Sequence, residues 1–115
     1  MSNRQLTSIA RVYMGRNRNH YRDQRSRTVS DAEVDRFVAQ VVAPQYPGGW
    51  TLFRGDGGWT LQGQTEPKIE PTIVLEIANP DSNPNGIEMI ADTWKHYADQ
   101  EAVLVAYTDA QTAVI

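Results

Sequence analysis

Fourteen consecutive residues, Gly15 to Thr28, contain no aliphatic side chain, and five of them are arginines: Arg16, Arg18, Arg22, Arg25 and Arg27. Such a stretch cannot cover a core. It must interrupt whatever folds around it and lie exposed as a basic loop over 15–28. Connections of this length inside a small domain are usually functional or disordered. Residues 1–28 carry seven arginines and one acid, a net charge of +6, whereas 29–115 carry four cations and thirteen acids, a net −9. Repulsion among the guanidiniums disfavours a compact loop, and an anionic partner would relieve it. Arginine, rather than lysine, suits bidentate contacts with phosphate or carboxylate.

The chain has 115 residues, which predicts one domain spanning 1–115. It contains no cysteine. Disulfides, thiolate metal sites and cysteine catalysis are therefore excluded. The N-terminus lacks the apolar segment of a signal peptide, and no apolar run reaches membrane-spanning length. The expectation is a cytoplasmic protein without a membrane partner, in the host cytoplasm if phage-encoded. A net charge of −3 argues against a general nucleic-acid binder.

Leu6 to Met14 reads as a strand, rich in β-branched and aromatic residues. Ser30-Asp31-Ala32-Glu33 has the pattern of a capping box, with Val29 and Val34 placed as a hydrophobic staple. Val34, Phe37, Val38 and Val41 continue at helical spacing, and the helix should stop before Pro44. Trp50–Arg54 and Trp59–Gln64 read as two strands joined by a tight turn at Gly55-Asp56-Gly57-Gly58. Thr72–Ala78 is an apolar, central strand, and Asn79–Gly86 a loop. A helix over Ile87–Gln100 has an apolar face of Ile87, Ile90, Ala91, Trp94 and Ala98. Ala102–Tyr107 is a further strand, Asp109–Gln111 a turn and Ala113–Ile115 a short edge strand. This order predicts an α+β fold. Two helices cover one face of a mainly antiparallel sheet, as a ferredoxin-like split βαβ with an added hairpin.

Several short patterns recur in this order: Arg11-Val12-Tyr13-Met14-Gly15, Val29-Ser30, Gly49-Trp50-Thr51-Leu52, Gly58-Trp59, Glu70 ahead of Thr72–Ile77, and Asp99-Gln100-Glu101-Ala102-Val103-Leu104. In them the chain resembles a domain-of-unknown-function family of small bacterial and phage proteins, over about residues 9–106. The helix exit Pro44-Gln45-Tyr46-Pro47 lacks the arginine of that family's pattern, and the arginine-rich loop is longer and more basic. The resemblance implies the fold and permits a phage setting. It implies no activity.

For function, the arginine cluster favours a non-catalytic protein that captures a small phosphorylated ligand, such as a nucleotide signal sequestered by a phage. The candidate ligand-binding residues are Arg11, Tyr13, Arg16, Arg18, His20, Tyr21, Arg22, Arg25 and Arg27, with the aromatic rings stacking on a base. No cofactor or metal is expected, because two histidines make no convincing ligand set. The alternative is a self-assembling homo-oligomer that docks its basic loop on an acidic surface around Glu88, Asp92, Asp99 and Glu101. An enzyme using Glu76, His96 and Tyr13 is the least favoured reading. Glu76 should face solvent, or else pair with Arg11. Trp94 is expected in the core, and Trp50 and Trp59, as cross-strand partners, are expected there ahead of a role as an aromatic platform for a nucleobase. Removing the five loop arginines should cost little stability.

Overall fold

The computed structural model describes residues 4–18 and 28–115. Its elements are β1 (Gln5–Gly15), α1 (Asp31–Phe37), a π-helical stretch (Val38–Val42), α2 (Ala43–Gln45), β2 (Thr51–Trp59), β3 (Lys68–Ala78), a 3₁₀ turn (Pro80–Ser82), α3 (Gly86–Tyr97) and β4 (Leu104–Thr112). The sheet order is β2-β3-β1-β4, and every neighbouring pair is antiparallel. This is the expected α+β, ferredoxin-like arrangement.

Alternation along the central strands builds the core. Ala10, Val12 and Met14 of β1 and Ile73, Leu75 and Ile77 of β3 point to the helical side and are buried. Val34 and Phe37 of α1 and Ile87, Ile90 and Trp94 of α3 close over them. The capping box forms as read: the Glu33 amide donates to Ser30 Oγ (3.1 Å), and the Ser30 amide donates to Glu33 Oε1 (3.2 Å). Val29 and Val34 are both fully buried, as a staple requires. Trp94 is fully buried and meets Phe37 edge-on, with ring centroids 4.9 Å apart.

Four local expectations are corrected. The helix does not stop before Pro44, because the chain widens into a π-helical stretch in which the Ala43 amide donates to Val38 O. That widening carries the ladder past a residue that has no N–H and whose ring would crowd the preceding turn. Gly55-Asp56-Gly57-Gly58 is not a turn but the middle of β2, paired residue for residue with β3 from Thr72 to Ile69. A Cβ on Gly57 would lie 2.6 Å from Thr72 Oγ1, so glycine serves close strand approach rather than chain reversal. The chain reverses instead over residues 60–67, which join β2 to β3, so the strand expected over Trp59–Gln64 does not form. Finally, β4 runs straight through Asp109–Gln111 to Thr112, because the first half of β1 takes it as a partner (Ser8 opposite Asp109). No separate edge strand forms at residues 113–115.

Trp50 and Trp59 also depart from expectation. Each is 40% exposed and outside the core. No helix among the described residues is long and apolar enough to cross a membrane.

Candidate functional site

The sheet face turned away from the helices carries the other half of each alternation. Tyr13 and Gly15 of β1, Glu70, Thr72 and Val74 of β3, Phe53, Gly57 and Trp59 of β2 and Leu104 of β4 share this face by register. At its end a pocket of about 720 Å³ opens between β2, β3, β1 and the segment that follows α3. Tyr13, Trp59, Leu61 and Leu104 supply apolar and aromatic walls, and Lys68, Glu70, Gln100 and Glu101 supply the polar groups.

Glu70 is the least expected of these groups. It is a carboxylate only 8% exposed. Its Oε2 accepts a hydrogen bond from the Asn17 amide at 3.0 Å. Gln100, equally buried, donates from Nε2 to the Asn17 carbonyl at 2.5 Å. Between the two side chains lies Gly15. A Cβ there would stand 2.5 Å from Glu70 Oε1 and 2.8 Å from Gln100 Oε1, so only glycine admits both heads. Gly15 is itself tied to the core, since Trp94 Nε1 donates to its carbonyl at 2.9 Å. The Arg16 amide donates to Pro71 O (2.9 Å), which ties the end of β1 to the start of β3.

The residues singled out from the sequence are scattered. Tyr13 lines the pocket. Arg11 lies on the same face but pairs with Glu76 across the strands, Nη2 to Oε1 3.1 Å. Glu76 is thus partnered rather than simply solvated. Arg16 turns to the start of α1, where Nε and Nη2 donate to Val29 O (3.0 and 2.7 Å) and Nη2 reaches Asp31 (3.0 Å). Arg18 lies over the Tyr97 ring at 5.0 Å, bonds the Tyr97 carbonyl and pairs with Glu33 at 3.3 Å. Neither arginine lines the pocket. His20, Tyr21, Arg22, Arg25 and Arg27 lie outside the described residues. Glu76, His96 and Tyr13 do not assemble: His96 is on α3, across the sheet from the other two, with its side chain 73% exposed beside Asp92.

The Arg18 cluster has its own electrostatics. The Ser30 amide and then the Tyr97 hydroxyl, which donates to Glu33 Oε2 at 2.9 Å, hold the Glu33 carboxyl below the usual carboxylate range. Burial, with the negative Glu33 beside it, pushes the Tyr97 hydroxyl up. These groups fasten α1 to α3 rather than face the pocket.

Sequence reasoning passed over Glu70, Gln100 and Gly15 as site residues and favoured the core over an aromatic platform for Trp59. A signal was present: Glu70 ahead of the apolar strand, and the Gln100-Glu101-Ala102 segment after the helix, are among the very patterns that carried the family resemblance. Their convergence required the β1–β3 pairing.

Among solved structures, two phage SAM lyases share this fold. One, in the apo state, aligns with a TM-score of 0.61 at 14% identity, over 95% of this chain and 89% of that one. The other, in complex with S-methyl-5′-thioadenosine, aligns with a TM-score of 0.60 at 14% identity, over 93% and 88%. Among curated proteins the comparison finds no match. The structural likeness corrects the expectation of a non-catalytic protein that captures a phosphorylated ligand on its arginine loop. The pocket lining includes Lys68 but no arginine, together with two carboxylates and two aromatic rings. The profile of the family described as protein of unknown function (DUF3574) matches residues 9–114, and the chain therefore belongs to that family.

Proposed function

We propose that this protein is an enzyme that binds a small sulfonium nucleoside, of the S-adenosylmethionine class, in the pocket on the helix-free sheet face and cleaves it there. The observation that carries the reading is the buried Glu70 carboxylate in a pocket that Tyr13 and Trp59 also line. A sulfonium cation is attracted both to a carboxylate and to the faces of Tyr13 and Trp59. Trp59, at the rim, offers a flat surface to a purine. The fold shared with phage SAM lyases, one of them holding S-methyl-5′-thioadenosine, supports the substrate class. Glu70 acts as general base, taking a proton from the carbon adjacent to the one that bears the sulfonium sulfur. The C–H electron pair forms a carbon–carbon double bond while the C–S pair returns to sulfur, so the products are a neutral thioether and an unsaturated amino acid. Consumption of a methyl donor in the cytoplasm of an infected cell would give the protein an anti-defence role in a phage setting.

The test is incubation of the purified protein with S-adenosylmethionine, read by mass spectrometry. Release of S-methyl-5′-thioadenosine is expected, and Glu70→Gln should slow it by roughly 10²–10⁴-fold, the span of a general base. No release by the wild type at any pH between 6 and 9 would overturn the reading. The exposed Tyr13, Phe53, Trp59, Leu61 and Leu104 further support a homo-oligomer that covers this face. Light scattering across protein concentrations checks it, and a monomer throughout would refute it.

A further inference from the structure

We infer that Gln100 is the positioning residue for Glu70 and acts through the backbone of Asn17; its catalytic consequence rests on the reading that Glu70 is the reacting carboxylate. The helix end fixes Gln100 first. Asp99 adopts a left-handed backbone (φ 48°) just past α3. The Gln100 amide donates back to Lys95 O (3.0 Å) and the Asp99 amide to His96 O (3.4 Å). This pair of bonds is a Schellman motif, which turns the chain sharply and aims the next side chain across the helix end. The Gln100 side chain is thereby delivered, 8% exposed, beside Gly15 and Asn17.

Asn17 is held from two sides. Gln100 Nε2 donates to its carbonyl at 2.5 Å, and Thr28 Oγ1 donates to its Oδ1 at 2.8 Å. With carbonyl and side chain both engaged, its amide is left aimed at Glu70 Oε2, 3.0 Å away. A charge-assisted bond from a fixed amide sets the carboxylate's rotamer better than any contact from a mobile side chain. The other carboxylate oxygen lies on the Gly15 side, where the glycine leaves room for it. Gln100 touches no substrate in this arrangement. It sets the angle at which Glu70 meets one.

Two variants test this. Gln100→Glu keeps the shape and replaces the donor by an acceptor. Gln100→Met keeps the volume and carries no donor and no charge. Hydrogen exchange by NMR reads the Asn17 amide directly, whatever the substrate is. We expect exchange at Asn17 to rise by about ten-fold or more in both variants, while the amides of Val12 and Leu75 stay as protected as in the wild type. With S-adenosylmethionine, kcat should fall by about ten-fold and KM stay within about two-fold, the mark of an interaction that matters only in the transition state. An unchanged Asn17 amide in both variants would overturn the positioning role. Faster exchange at Asn17 in a protein that releases no S-methyl-5′-thioadenosine would leave that role standing and discard the substrate.

Discussion

At Gly15 the absence of a single methyl group decides whether two buried side chains can meet. Gly15→Ala would force Glu70 or Gln100 from its place, because both terminal oxygens lie within 2.8 Å of the added carbon. A fall in melting temperature together with loss of turnover is expected, and calorimetry beside the mass-spectrometric assay checks it. Arg16 has a structural role, because its side chain is 11% exposed and bonds Val29 O twice. Arg16→Ala should therefore destabilise by roughly 1–3 kcal/mol, measured in urea, which revises the expectation that the loop arginines are dispensable. Glu33 gives a pH dependence. Its folded value lies below its unfolded value, so its contribution is full above the ordinary carboxylate range and is lost as pH falls through the folded value. Melts between pH 7 and 3 should show a loss that Tyr97→Phe, which removes the hydroxyl donor to Glu33 Oε2, reduces; equal slopes in both proteins would refute it.

Among the elements, those whose signals are local were legible in the sequence. The capping box at Ser30, the staple of Val29 and Val34, and the apolar alternation of β3 depend on residues within a turn or a strand of one another. The glycine tetrad was misread because glycine has two uses, positive backbone angles and close approach, and sequence alone does not separate them. In β2 it is the second use, set by Thr72 on the neighbouring strand. The π-helical stretch left no pattern that spacing could reveal, since Val38 and Val41 suit either ladder. Trp94 was read correctly, because the period of α3 places it among Ile87, Ile90 and Ala98. Trp94→Ala should cost roughly 3–5 kcal/mol as a large-to-small core change, and it also removes the donor that ties Gly15 to α3. Denaturant unfolding measures the cost, and a loss below about 1 kcal/mol would contradict the packing described.

For the whole molecule, the pocket exists only because the sheet order brings distant segments together. Asn17 meets Glu70 across 53 residues and Gln100 across 83. No window of sequence holds both, so the site was illegible even though the elements that build it were not. The arginines drew attention by local density, whereas the carboxylate at the centre is one of several spaced acids, Glu66 before it and Glu76 after. A ligand that fills this pocket should stabilise the entire fold. S-methyl-5′-thioadenosine at about 100 times its dissociation constant is expected to add about 2.7 kcal/mol and raise the melting temperature accordingly. Trp59→Ala should abolish that shift while leaving the ligand-free melt nearly unchanged, since Trp59 is outside the core. A shift that survives the substitution would place the ligand elsewhere.

The small bridge between Asn17 and Thr28 has a further meaning for how such a chain changes over generations. It pairs the two residues in antiparallel fashion, and the Thr28 hydroxyl donates to Asn17 Oδ1 at 2.8 Å. A change at Thr28 that removes the hydroxyl takes that donor from Asn17 and loosens the amide that meets Glu70. Position 28 therefore answers to the same constraint as the pocket, although it does not line it.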